Sequence, residues 1–329
     1  MTGHLMAACN LVLALLQAPA TKGTLRLYAV GDINLGRRTA RERLIQGDTL
    51  YSFRPLLDTL RGADITFGNL ESPIAADTGA VDDSGEVFTA PPLAALALAL
   101  AGFDIVSTAN NHAWDGGEGT LQETMRQLTR AGVLFVGSAF GRDMAEQAVI
   151  VRRHGWRVAF FAITRAWNPA PYTFYRHPGA NYVAWGDTAW LYPAIRSVKQ
   201  GGRADLVVVS VHGGREFVAA PPSYHTDLLY GLVDAGADVV LAHHPHVLQP
   251  VVRYKGKPIV QSLGNFIFLQ SEPWTRLSAI LRVVVRPDKR IRLSAIPVRV
   301  GHQATLASGA AADSVRRRLG IPLSTQTHP

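Results

Sequence analysis

In this chain one apolar, β-branched or aromatic run after another stops at a carboxylate, an amide or an imidazole. The run 25–30 ends at Gly31-Asp32, 64–70 at Glu71, 103–109 at Asn110-Asn111-His112 and 206–211 at His212. The run 237–241 leads into Ala242-His243-His244-Pro245-His246. Histidines packed this densely fill a core badly, because every neutral imidazole must satisfy both a donor and an acceptor. Open α/β architectures assemble their sites where strand ends face one crevice. A chain that punctuates its strands in this way is therefore expected to be a layered α/β protein whose scattered polar groups converge.

The intervening pattern agrees with that class. Strands are expected over 25–30, 65–67, 105–108, 134–136, 157–163, 206–211 and 239–242, and helices over 53–61, 92–101, 119–131, 190–199 and 223–234. Pro91-Pro92 suits a helix start, and Gly102, Gly132 and Gly236 stand where C-terminal caps do. After His246 the helices cease: 247–254, 257–262, 277–286 and 290–298 read as a β-meander with turns at Lys255-Gly256-Lys257 and Pro287-Asp288-Lys289. Two stacked sheets with helices outside satisfy this order. The segment 164–186, rich in Pro, Tyr and Trp and without periodicity, reads as a lid or substrate wall.

Composition narrows the partners. With 47% hydrophobic and 18% charged residues the chain is globular, and its net charge of +8 favours an acidic partner. No long basic run with interleaved aromatics occurs, so nucleic acid is not expected. Residues 1–20 lack Lys, Arg, Asp and Glu, and Ala18-Pro19-Ala20 offers small residues to a signal peptidase. The segment 1–20 reads as a signal peptide or an N-terminal anchor, which makes the protein exported or envelope-associated; a misplaced start would make it cytoplasmic. Cys9, the single cysteine, rules out an intrachain disulfide and a cysteine-rich zinc site, so any metal needs N and O ligands.

On an extended chain His244 and His246 project to one side, with Pro245 stiffening the segment between them. Asp32 and Glu71 supply the negative charge a divalent ion needs, and a carboxylate at a strand end can bridge two ions. Each residue also has an ordinary reading: Asp32 as a turn or N-cap residue, Glu71 as a solvated charge, Asn110 and Asn111 as turn formers. Asn-Asn-His followed by Asp115 offers more, namely an amide ligand, an imidazole acid and a carboxylate to orient it.

Together these motifs carry a resemblance. Gly31-Asp32, Asn69-Leu70-Glu71, Asn110-Asn111-His112 with Asp115, His212 with Gly214 and Glu216, His244-Pro245-His246-Val247-Leu248-Gln249 and Ser262-Leu263-Gly264-Asn265-Phe266 closely resemble the CapA family of capsule-synthesis proteins associated with poly-γ-glutamate. That family is similar to the calcineurin-like metallophosphoesterases. The resemblance runs over about 25–268 and implies a four-layer α/β/β/α sandwich; the domain is expected over 24–302, and 303–329 reads as a C-terminal tail made of an Ala/Ser-rich linker, one short basic helix and a frayed end. The resemblance implies up to two divalent ions, Mn, Fe or Zn. Asp32 and His246 would serve one ion, Glu71 would bridge, and Asn111, His212 and His244 would serve the other. His112 would be the acid, Asp115 its orienting partner, and a metal-activated water the nucleophile.

The implied activity is that of a metal-dependent hydrolase or transferase. Its substrate would be an acidic polymer such as poly-γ-glutamate or a phosphoryl compound, with membrane partners of capsule synthesis. The alternative is a non-catalytic polyanion-binding component of capsule synthesis or export. Two departures matter. Asn34 stands where metallophosphoesterases carry a His ligand, which puts one ion and full phosphoesterase strength in doubt, and Gly213 replaces a Trp common in the family, which opens space beside the site. In Ser262 to Phe266, a strand ending in a Gly-Asn turn with core Phe266 and Phe268 is favoured over a catalytic role. Arg37, Arg38, Arg165 and Arg215 are candidates to hold a polyanion, or are surface charges.

Overall fold

The computed structural model describes residues 21–76, 88–166, 168, 182–184 and 186–324. The segment read as a signal or anchor, most of 164–186 and the last five residues lie outside the described residues. The strands are β1 (Leu25–Ile33), β2 (Ile65–Leu70), β3 (Ile105–Ser107), β4 (Leu134–Val136), β5 (Ser138–Ala139), β6 (Val149–Arg153), β7 (Trp156–Thr164) and β8 (Tyr182–Val183). They continue as β9 (Leu206–His212), β10 (Val239–His243), β11 (Leu248–Tyr254), β12 (Lys257–Leu263), β13 (Asn265–Ile267), β14 (Leu277–Val285), β15 (Ile291–Arg299) and β16 (Thr305–Leu306). The helices are α1 (Arg38–Ile45), α2 (Leu57–Arg61), α3 (Leu93–Ala101), α4 (Glu118–Ala131), α5 (Arg142–Ala145), α6 (Thr188–Gln200), α7 (Ser223–Ala235) and α8 (Gly309–Leu319).

One sheet runs β16-β15-β14-β1-β2-β3-β4 with β13 also paired to β1, and the other runs β11-β12-β10-β9-β7-β6. Side chains alternate across each strand, and both sheets use the two faces differently. Leu27 and Ala29 of β1 share a central cluster with Val158 and Phe160 of β7 and Val208 of β9, all fully buried. Their neighbours Tyr28 and Val30 turn the other way and pack with Ala94, Ala97 and Leu98 of α3. On the second sheet Ala159, Phe161, Val207 and Val209 meet Leu191 and Ile195 of α6 and Leu228, Leu229 and Leu232 of α7. The molecule is thus an α/β protein of two sheets with flanking helices.

The helices end where the sequence suggests. Gly102 (φ 95°) and Gly132 (φ 75°) take the left-handed conformation and cap α3 and α4. Asp187 starts α6 by accepting the Ala189 N–H. The stretch 53–61 is not one helix: Pro55 lies in a 3₁₀ turn, Arg54–Leu56, before α2.

The largest difference from the sequence reading lies after His246. The expected meander is two hairpins in two different sheets: β11 and β12 join the second, β14 and β15 the first. The chain changes sheets at Gly264 (φ 65°), between β12 and β13. Periodicity shows which residues alternate but not which sheet they join. Past residue 302 the chain still packs: β16 pairs with β15, Val315 and Leu319 of α8 are fully buried, and Leu323 bridges to Ala295. The short basic helix expected there is α8, and the segment is part of the packed body through Ser324, because α8 has an apolar stripe to bury.

Phe160 and Phe67 stack between the sheets with ring centroids 5.7 Å apart and planes 11° off parallel. Phe160→Ala is expected to cost about 3–5 kcal/mol of unfolding free energy, read as a lowered urea midpoint. A change near zero would show that the two sheets do not share this contact.

Candidate metal centre

The site begins with a close approach of two backbones. A Cβ on Gly31 would stand 1.8 Å from the Gly264 carbonyl oxygen, the same oxygen that accepts the Asp32 N–H at 2.9 Å. Only glycine lets β1 and β13 meet there. The register of β1 against β2 shifts between Ala29 and Asp32, and Asp32 then stands beside both Asn69 and Asn265. The first and last motifs of the sequence thus form one structural unit.

Five strand ends meet around this point. Asp32 closes β1, Glu71 follows β2, the Asn110-Asn111-His112 segment follows β3, His212 closes β9, and His244 and His246 lie between β10 and β11. Ligand atoms of Asp32, Glu71 and His212 lie within 4.8 Å of one another, as do those of Glu71, His244 and His246. Glu71 is common to both groups, as a bridging ligand would be. The two groups overlap in space: the His212 and His244 rings lie 4.9 Å apart and those of His244 and His246 6.0 Å. Asp32 also approaches His246, Oδ2 to Nδ1, at 3.3 Å. His244 (φ 95°) and His246 (φ 58°) both adopt the left-handed backbone region, costly for a side chain with a Cβ and concentrated at functional sites.

The donor set fits a divalent cation. Glu71 is fully buried, and neither of its oxygens has a hydrogen-bond partner among the described residues. The imidazole Nε2 atoms of His212 and His246 stand at 3.5 and 3.8 Å, too far for good hydrogen bonds. A buried carboxylate in this state is strongly penalised unless a cation completes it. Asn111 Oδ1 lies 2.7 Å from His212 Nε2. Two ligands each about 2.1 Å from one ion and at right angles would stand about 3 Å apart.

The electrostatics follow from burial. Burial, then the Asp32 charge, raises the Glu71 carboxyl well above the usual range. Burial would also raise Asp32, but the imidazoles of His243 and His246 outweigh it and hold Asp32 well below. Burial, then His244, keeps His212 neutral, and burial, then His246, lowers His244 to about 3. Burial thus favours the neutral imidazoles of His212 and His244, whose lone pairs a cation needs, and the protonated carboxyl of Glu71.

Neighbouring amides fix these ligands. Asn69 donates through Nδ2 to Asp32 Oδ1 at 2.8 Å and stands 3.1 Å from His212 Nδ1. Asn110 donates to the Leu70 carbonyl at 2.7 Å, and Asn265 Oδ1 lies 2.9 Å from His246 Nδ1. Such partners set tautomer and ring orientation. At the edge, His112 Nδ1 and Asp115 Oδ2 are 2.8 Å apart, and Asp115 also accepts the Phe88 N–H at 2.8 Å. The Phe88 and His112 rings lie 4.5 Å apart. Asn168, a described residue of the 164–186 loop, accepts from Asn111 at 2.8 Å and lies 3.2 Å from His112 Nδ1.

Several participants escape the sequence reading. Asn69 and Asn265 belong to recognised motifs without an assigned task, and Asn168 lies in an aperiodic loop. His243, also fully buried, places Nδ1 3.6 Å from Asp32 Oδ1. Asn34 Oδ1 accepts the Gly36 N–H at 3.1 Å, while its buried Nδ2 is unpartnered. The space expected beside Gly213 is not open: a Cβ there would meet Arg165 Cβ at 3.3 Å and His225 Cε1 at 3.5 Å. His225 is 1% exposed and burial lowers it to about 4, so its ring acts as apolar filling where an indole was expected.

Fold and site together define an α/β protein with a buried carboxylate, amide and imidazole cluster at the strand ends of two sheets. Residues 26–270 match the family model described as bacterial capsule synthesis protein PGA_cap, and the chain belongs to that family. It is 31% identical to the capsule biosynthesis protein CapA of Bacillus anthracis over 281 residues, covering 84% of this chain and 67% of that one. It is 29% identical to the PGA biosynthesis protein CapA of Bacillus subtilis, covering 84% and 72%. A hypothetical protein from Thermus thermophilus shares the fold at a TM-score of 0.50 and 17% identity, covering 83% of this chain and 98% of that one.

Because burial favours the protonated Glu71 carboxyl and the neutral His212 and His244 imidazoles, metal uptake is expected to release a proton from Glu71. Affinity should then fall as pH drops below the raised Glu71 value and level off above it. Calorimetric titration of Mn²⁺ or Zn²⁺ in buffers of different ionisation enthalpy reads the proton directly. Release unchanged in Glu71→Gln would assign it elsewhere.

Proposed function

We propose that this chain is a metal-dependent hydrolase or transferase of capsule synthesis, acting on an acidic polymer or a phosphoryl compound. One observation carries the reading: Glu71, buried and without a hydrogen-bond partner among the described residues, is shared by two groups of metal-competent side chains. The nearby His112–Asp115 pair supplies the proton-transfer group such a reaction needs.

A divalent ion held by these residues would supply Lewis-acid polarisation and water activation near neutral pH. Asp32, Glu71, Asn111, His212, His244 and His246 would hold it. With Nδ1 engaged by Asp115, His112 has Nε2 left to protonate a departing oxygen. The Asp115 carboxylate and the Phe88 ring hold that imidazole, so its proton sits at a defined atom rather than on a rotating ring. Burial of the ligands keeps bulk water from competing for the reacting groups.

The acidic-polymer class draws on the names of relatives and on charge. Besides the two CapA proteins, a probable polyglutamine synthesis accessory protein of Mycobacterium tuberculosis is 28% identical over 73% of this chain. A net charge of +8 suits such a substrate. Action at the envelope rests on the character of residues 1–20; no helix among the described residues is long and apolar enough to cross a membrane. N-terminal sequencing of the mature protein checks export, since an intact Met1 would contradict cleavage.

A second reading, a polyanion-binding component without turnover, is favoured by one feature: Asn34 in place of a histidine ligand. The two separate in one experiment. Purified protein is analysed for metal, then assayed against phosphoesters and γ-glutamyl polymers. Catalysis predicts loss with a chelator and with His244→Ala, and a drop of about a hundredfold or more in His112→Ala. Full turnover after metal removal would end it, while polymer binding untouched by His112→Ala, without turnover in the wild type, would establish the second.

A further inference from the structure

A cavity of about 330 Å³ opens beside the metal centre, with Asn34, Arg37, Arg38, Phe268, Gln270 and Arg276 on its wall. It borders the site directly. Asn34 lies two residues past Asp32, the Phe268 and His246 rings meet edge-on at 4.9 Å, and Gln270 accepts from Asn265 at 2.9 Å.

Donors dominate the polar part of this wall. The Arg37 guanidinium lies 5.6 Å from the centre of the Phe88 ring, which itself packs on His112, and 5.7 Å from that of Phe268. Arg38 and Arg276 are exposed, and Arg276 donates to the Ser271 carbonyl at 3.3 Å. None of the three forms an ion pair with a carboxylate among the described residues, although Arg37 feels the charge of Glu272. Helix α1 starts at the same wall without a side-chain cap. The decisive atom is Asn34 Nδ2: the residue is 1% exposed and this N–H₂ has no partner among the described residues.

A buried donor left unpaired is costly, and only an acceptor offsets it. Guanidiniums are matched by planar or tetrahedral oxyanions. We propose that this cavity is an oxyanion subsite, holding a carboxylate or phosphoryl group of a chain whose reacting bond lies at the metal centre. The position of the reacting bond rests on the metal-centre reading; the anion binding does not. On this assignment Asn34 has exchanged a role toward a cation for one toward an anion.

The test titrates γ-linked tetraglutamate and, separately, inorganic phosphate into the full-length protein by calorimetry. Compared with wild type are Arg38→Gln with Arg276→Gln, Arg286→Gln with Lys289→Gln, and His244→Ala. The first pair removes exposed cavity charges, so folding is not at risk; the second removes exposed charges from the β14–β15 turn, at the opposite end of β1 from Asp32. Expected is a loss of about tenfold or more in the first pair with metal content unchanged, and less than about twofold in the second. His244→Ala should lose metal yet keep salt-sensitive anion binding. Phosphate weakened by the same factor and displacing the oligomer assigns phosphoryl groups; an effect confined to tetraglutamate assigns carboxylates. Unchanged affinity in the first pair, an equal loss in the second, or no binding of either anion by wild type would overturn the subsite. Unaltered turnover in metal-free protein would strike the metal-centre reading alone.

Discussion

A carboxylate sealed between two sheets with nothing to accept is the constraint around which this molecule is arranged. Glu71 is fully buried, and its oxygens find neither a backbone N–H nor a side-chain donor among the described residues. Its surroundings do not ease the burden: Asp32, held in its charged form by two imidazoles, raises Glu71 further. The stability lost there is tolerable because two large clusters of aliphatic and aromatic side chains lie around it, and because a divalent cation would reverse the sign of the interaction.

The backbone is shaped to the same end. Gly31 and Gly264 allow β1 and β13 to touch, and this contact sets Asp32 beside Asn69 and Asn265. His244 and His246 accept left-handed backbone so that consecutive ligands leave one short loop. The asparagines then lock the rings. Family membership fits this picture, since the matched span 26–270 begins with β1 and ends just past β13.

Much of this was legible before any coordinates. A carboxylate or imidazole at the end of an apolar run is a local signal, and Asp32, Glu71, Asn111, His212, His244 and His246 all carry it; the fold brings their ends together. The class of fold was legible for the same reason, since β-branched runs alternating with helical stripes leave few alternatives. The supporting residues were not. Asn69, Asn265 and Asn168 look like any turn-forming amide, and their tasks depend on neighbours up to 143 positions away, as with Asn69 and His212. Nor does periodicity reveal that one glycine at 264 carries the chain from one sheet to the other. The apolar stripe of α8 was masked by its arginines, which face water while Val315 and Leu319 do not.

The ligands come from both sheets and are widely separated in sequence. Asp32 and Glu71 stand on or just past strands of the first sheet, and His212, His244 and His246 on or just past strands of the second. A nascent polypeptide that has not yet reached His246 lacks the whole set, however much of the first sheet it has already formed. A cation held by this set would therefore be captured with full strength only after synthesis has passed His246 and the halves have docked. Loading is then a report on completed tertiary structure, and a bound ion would act afterwards as a rivet across the joint.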